Sequence, residues 1–87
     1  MKYVALKSFW KRYGRLDPKN KEQAKNAFKL FKQDPRHPSL RVAKMPGLNI
    51  WYGHVTKGKL FTFEQEHQSY FFRNIGRHEI LDRERRR

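Results

Sequence analysis

The spacing of apolar residues changes from strand-like to helical and back again, and the changes divide the chain into elements. Residues 2–6, Lys-Tyr-Val-Ala-Leu, read as a short opening strand. Phe9, Trp10, Tyr13 and Leu16 then recur at helical spacing behind Ser8, a candidate N-cap, and predict a short amphipathic helix ending near Gly14. Asp17-Pro18 restarts the chain, because a capping carboxylate precedes a proline whose missing N–H is harmless in a first turn. Asn20 and Gln23 form an alternative capping pair. Ala24, Ala27, Phe28 and Phe31 stand at i, i+3, i+4 and i+7, one apolar stripe of a helix, with Lys21, Lys25, Lys29 and Lys32 over much of the remaining surface.

Pro35 and Pro38 stop that helix, and the period drops to two. A strand is expected over residues 39–45, up to the turn Pro46-Gly47. Residues 49–56 follow, with Trp51, Gly53 and Val55 on one side and Ile50, Tyr52 and His54 on the other. Lys57-Gly58-Lys59 makes a tight connection to residues 60–65, where Phe61 and Phe63 alternate with Leu60, Thr62 and Glu64. Glu66-His67-Gln68 turns the chain into a last strand over residues 69–75. Such short connections require an antiparallel meander. The expectation is one α+β domain over residues 1–87, an N-terminal helical hairpin packed on a mainly antiparallel β-sheet. Residues 81–87 are expected as a frayed helix or, over 83–87, a disordered basic tail. No repeat, linker or second domain interrupts the pattern.

Composition narrows the partners. In 87 residues, 7 Phe, 4 Tyr and 2 Trp supply the large buried areas that a small domain needs, and Trp51, Phe61, Phe63, Phe28 and Phe31 are the expected core. The absence of cysteine excludes a disulfide framework and a thiolate zinc site. No apolar run is long enough to span a bilayer and the N-terminus does not read as a signal peptide, so the cytoplasm is the expected compartment. Twenty-one Lys and Arg against 8 Asp and Glu leave a net charge of +13, spread over every segment. Such a field attracts polyanions such as nucleic acid, and an acidic protein partner fits the same field.

Three motifs add a family resemblance over residues 20–82. Asp34-Pro35-Arg36-His37-Pro38-Ser39-Leu40 leaves the helix, Ile50-Trp51-Tyr52-Gly53-His54-Val55 forms a strand, and Asn74-Ile75-Gly76-Arg77-His78-Glu79 ends the last strand. In this order they resemble the RelE/ParE superfamily of bacterial type II toxins. The resemblance implies a toxin held inactive by a cognate antitoxin. It further implies a ribosome-dependent endoribonuclease that cleaves mRNA in the A site by attack of the RNA's own 2′-hydroxyl, without metal or small-molecule cofactor. Two other functions fit the sequence: a ParE-like inhibitor of DNA gyrase, and a non-catalytic RNA-binding module.

The chemistry implied by the resemblance needs a proton acceptor, cations for the phosphorane and a donor to the leaving oxygen. His78 is the first candidate, two residues after Gly76, because imidazole is the side chain that ordinarily titrates near neutrality. His54 and Tyr52 share one side of their strand and complete the catalytic set. Lys57, Lys59, Arg73 and Arg77 are the candidate RNA-binding cations, with Glu64 and Glu79 as carboxylate alternatives. Lys59-Leu60 departs from relatives that carry an arginine there, and lysine lacks the guanidinium fork. Arg36 and His37 are expected at an exposed corner.

Overall fold

The computed structural model describes residues 1–86. The elements are β1 (Lys2–Ala5), α1 (Lys7–Tyr13), α2 (Pro18–Gln33), a 3-10 turn (Pro38–Leu40), β2 (Ala43–Lys44), β3 (Trp51–Thr56), β4 (Lys59–Glu66), β5 (Ser69–Gly76) and α3 (Glu79–Arg85). They build the expected α+β domain. One five-stranded sheet runs in the order β1-β5-β4-β3-β2, and β1 lies parallel to β5 while every other pairing is antiparallel. Among the described residues, no helix is long and apolar enough to cross a membrane.

Asp17 caps α2 as its position suggests, its Oδ1 accepting the Asn20 amide at 2.8 Å. The stripe of α2 lands on the sheet, and Phe31 meets the rings of Phe61, Phe63, Tyr70 and Phe72 at centroid distances of 4.9–5.7 Å, all steeply inclined. Each such pair contributes about 0.5–1.5 kcal/mol beyond its buried area. The same core takes in Phe9, Ala24, Ala27, Leu40 and Ile75.

A bulge makes this core possible. Thr62 pairs with Asn74 but Phe63 pairs with Phe72, so Arg73 is an extra residue in β5. Strict alternation would put Phe72 and Ile75 on opposite faces. The bulge turns both toward the aromatic cluster and sends Arg73 to the other side of the sheet.

Four expectations are corrected. Ser8 is not the N-cap of α1, since Leu6 holds that place without a side-chain cap. The Leu6 amide donates to Phe72 O at 2.9 Å, which keeps Leu6 extended, and Ser8 Oγ donates to Arg73 O at 2.6 Å. The strand expected over residues 39–45 shrinks to β2, because Pro38 opens a 3-10 turn and Ser39 N donates to His37 Nδ1. Ser39 Oγ stands 2.8 Å from the same nitrogen. That nitrogen accepts the amide, so the hydroxyl donates to it as well and the imidazole proton resides on Nε2. His37 is thus half-buried in its own turn, whereas Arg36 is exposed. The C-terminal segment is an ordered helix, α3, with Ile80 and Glu84 buried at 0% and 3% exposure. Arg87, the last residue of the expected basic tail, lies outside the described residues. Leu60 and Thr62 are fully buried as a result, because α3 packs against β4 and β5 on the face opposite α2.

Gly53 marks where the sheet tolerates no side chain. A Cβ there would lie 2.6 Å from Phe61 Cζ, and Phe61 is wedged between Phe28, Phe31 and Phe63. Gly53→Ala is expected to destabilise the domain by about 1–3 kcal/mol through overpacking, read from the urea midpoint. An unchanged midpoint would mean that the ring has room to move.

Candidate nucleic-acid interface at one end of the sheet

The short β2 exposes chemistry. It pairs only with Trp51 and Tyr52, so among the described residues the outer edge of β3 from Gly53 onward has no strand beside it and faces the 3-10 turn instead. Arg41 ends that turn in the left-handed region, φ 46° and ψ 48°, a strained conformation for a side-chain-bearing residue. Arg41, with Ser39, His54, Thr56 and Lys57, lines a cavity of about 310 Å³. His54 is half-buried, and its Nδ1 is fully buried without a hydrogen-bond partner. A buried polar atom left unpaired is costly, and such atoms concentrate where a ligand or water completes the site.

The register carries the same end of the sheet across to β5. His54 pairs with Leu60 and Leu60 with Gly76, so Gly76 lies two strands, roughly 10 Å, from His54. Lys57 and Lys59 flank the β3–β4 turn, and Arg77 and His78 follow Gly76 into α3, both exposed. Arg12 from α1 reaches the same end, its Nη1 3.8 Å from where a Gly76 Cβ would stand. Burial lowers the Arg12 pKa, the nearby Arg83 and Arg15 lower it further, and Glu79 opposes them. Guanidinium remains a cation through shifts of this kind. One rim of the molecule therefore gathers Arg41, Lys57, Lys59, Arg77 and Arg12 with His54 and His78.

Not every expected residue joins it. Arg73 is not a free cation: its Nε donates to Glu84 and its Nη1 to Glu64, each at 2.8 Å. Burial would lower its pKa, but the two carboxylates outweigh this and raise it. Glu64 is engaged in the same pairs, which withdraws it as a base, while Glu79 lies near Gly76 and Arg12. Tyr52 is on the His54 face with ring centroids 6.1 Å apart, yet neither Tyr52 nor His78 lines the cavity that holds His54. Leu60 cannot present a cation and is wholly buried. Sequence reasoning missed Arg41 and Arg12. A left-handed arginine after Pro-Ser-Leu has no local signature, and Arg12 reads as one more basic residue on a short helix.

No family model and no curated protein matches the sequence. Solved structures do match the fold. The toxin–antitoxin complex RelB–RelE from Methanococcus jannaschii aligns with a TM-score of 0.74 at 13% identity, covering 93% of this chain and 96% of the matched one. The YoeB/ParE toxin from Agrobacterium tumefaciens gives 0.72 at 20% identity over 90% and 99%. This chain has the RelE/ParE toxin fold. YafQ from E. coli strain BL21(DE3) shares it, with a TM-score of 0.73 at 12% identity over 91% and 94%. At such identities the likeness establishes the RelE/ParE fold, and the chemistry rests on this chain's own side chains. In this version of the fold, the cations line the sheet end around a recessed imidazole, an arrangement suited to a phosphodiester.

Proposed function

We propose that this chain is the toxin of a type II toxin–antitoxin system and cleaves mRNA in the ribosomal A site. The supporting observation is the cavity that His54, whose buried Nδ1 has no partner, lines together with Arg41 and Lys57. In the proposed reaction the 2′-oxygen attacks the adjacent phosphorus, His54 accepts the hydroxyl proton, and the P–O5′ bond breaks. A 2′,3′-cyclic phosphate and a 5′-hydroxyl result, the latter protonated by His78. Arg41, Lys57 and Arg77 balance the charge of the phosphorane, Lys59 and Arg12 hold flanking phosphates, and Tyr52 positions the His54 ring. Arg73 serves the fold, so its contribution to RNA is indirect. The site lies in the cytoplasm with its ribosomal substrate, and a cognate antitoxin of acidic character neutralises the rim.

The test is primer extension on a defined message in a reconstituted translation reaction. Ribosome-dependent cuts at A-site codons, lost in His54→Ala and His78→Ala, are expected. Growth arrest without cuts would instead direct attention to gyrase, and neither cuts nor arrest would leave an RNA-binding module.

A further inference from the structure

We propose that the groove between α1 and α2 is a docking site for an acidic amphipathic helix of a protein partner. Phe9, Trp10 and Tyr13 of α1 and Phe28 of α2 line a cavity of about 460 Å³, with Phe9 and Phe28 in edge contact at 5.3 Å, and a second hollow of about 230 Å³ continues it toward β1. Trp10 is 58% exposed, while nearly every other large apolar side chain is covered. An open aromatic groove on so small a domain marks an interaction surface.

The rim says what kind of occupant fits. Lys25, Lys29 and Lys32 line the α2 wall at i, i+4 and i+7, spanning roughly 10 Å along the helix. Lys32 Nζ lies 5.2 Å from the Tyr3 ring centroid and Lys21 Nζ 6.0 Å from that of Tyr13, which holds ammonium groups beside the groove. A second copy of the chain is a poor occupant, since it carries +13 itself and a two-fold contact would set these lysines against their counterparts. RNA is disfavoured by ring geometry. Trp10 meets Phe9 at 79° and Tyr13 at 84°, and Phe9 and Tyr13, near-parallel at 21°, stand only 6.1 Å apart with Phe9 buried, so no pair of rings is open to grip a base. A helix with apolar anchors at i, i+3 or i+4 and i+7, flanked by Asp or Glu, satisfies both the aromatic floor and the lysine rail. The groove shares no lining residue with the His54 cavity, so the inference stands apart from RNA cleavage.

Selection from a display library of random 16-residue peptides, on the intact protein, tests this. Acidic peptides with helically spaced apolar anchors should be enriched, and their affinity should fall about tenfold or more with Trp10→Ala. Lys25→Glu with Lys29→Glu should weaken them comparably. All three side chains are exposed, so the variants retain the fold, which circular dichroism verifies. Growth arrest or RNA cleavage by Trp10→Ala should match wild type. No enrichment, enrichment of peptides lacking the pattern, or equal binding by Trp10→Ala overturns the proposal. A Trp10-dependent complex with oligouridylate also overturns it and assigns the groove to RNA.

Discussion

Glu84→Ala is expected to cost the domain about 3–5 kcal/mol of stability, read from urea unfolding, because it breaks a buried ion pair from one side. Glu84 is 3% exposed and accepts from Thr62 Oγ1 at 2.8 Å and from Arg73 Nε and Nη2 at 2.8 and 3.2 Å. The substitution strands the Thr62 hydroxyl and leaves Arg73 with Glu64 alone. It also removes the polar anchor of α3, which otherwise packs through Ile80 beside Gly76. Glu84→Gln keeps the shape and should lose less.

The same residue predicts a pH dependence. Burial by itself raises the Glu84 carboxyl, but the Arg73 and Thr62 hydrogen bonds and the Arg73 charge outweigh it, and the net shift is downward. A carboxylate whose folded pKa is depressed stabilises the fold above its unfolded value, about 4.3, and loses that contribution as pH falls through the folded value. The stability gap between wild type and Glu84→Ala should therefore be full at neutral pH and narrow in acid below about pH 4. A loss under about 1 kcal/mol at neutral pH, or a gap that stays constant into acid, would show that α3 is held by packing alone.

His54→Ala is expected to reduce RNA cleavage by about 10²–10⁴-fold, the range for loss of a proton-transfer group. The expectation rests on position. His54 is recessed beside Arg41 and Lys57 and shares a strand face with Tyr52, whereas His78 is exposed at the N-terminus of α3. If the two imidazoles act as acceptor and donor, each alanine variant fails and the double variant falls little further, since groups acting as a unit are not additive. Arg41→Ala should also lower the rate with little change in stability, because alanine keeps the Cβ strained at φ 46°, whereas Arg41→Gly should lower the rate and relieve that strain. Primer extension gives the rates and urea unfolding verifies the fold. Full cleavage by His54→Ala with loss only in His78→Ala would move the centre to the exposed rim.

Much of this was legible locally. Asp17-Pro18 announces α2, the stripe from Ala24 to Phe31 gives its buried face, and the turns at Lys57-Gly58 and His67-Gln68 set the meander of β3, β4 and β5. Alternation alone put Tyr52 and His54 on one face. Residues 38–42 were harder, because a proline-led 3-10 turn and an extended strand share the same dihedral preference at Pro38. The C-terminal helix was harder still. Five of its seven residues are charged, and Glu84 becomes a core residue only because Arg73 waits eleven positions upstream.

By itself the sequence determined the layers, the aromatic composition of the core and the basic field that selects polyanionic or acidic partners, since each depends on near neighbours or on totals. Only the tertiary structure decided which cations are free. The β5 bulge withdraws Arg73 into an ion pair, the covering helix buries Leu60, and the shortened β2 opens a cavity to His54, Arg41 and Lys57. These outcomes depend on which distant groups meet across the sheet, and periodicity along one segment carries no record of that.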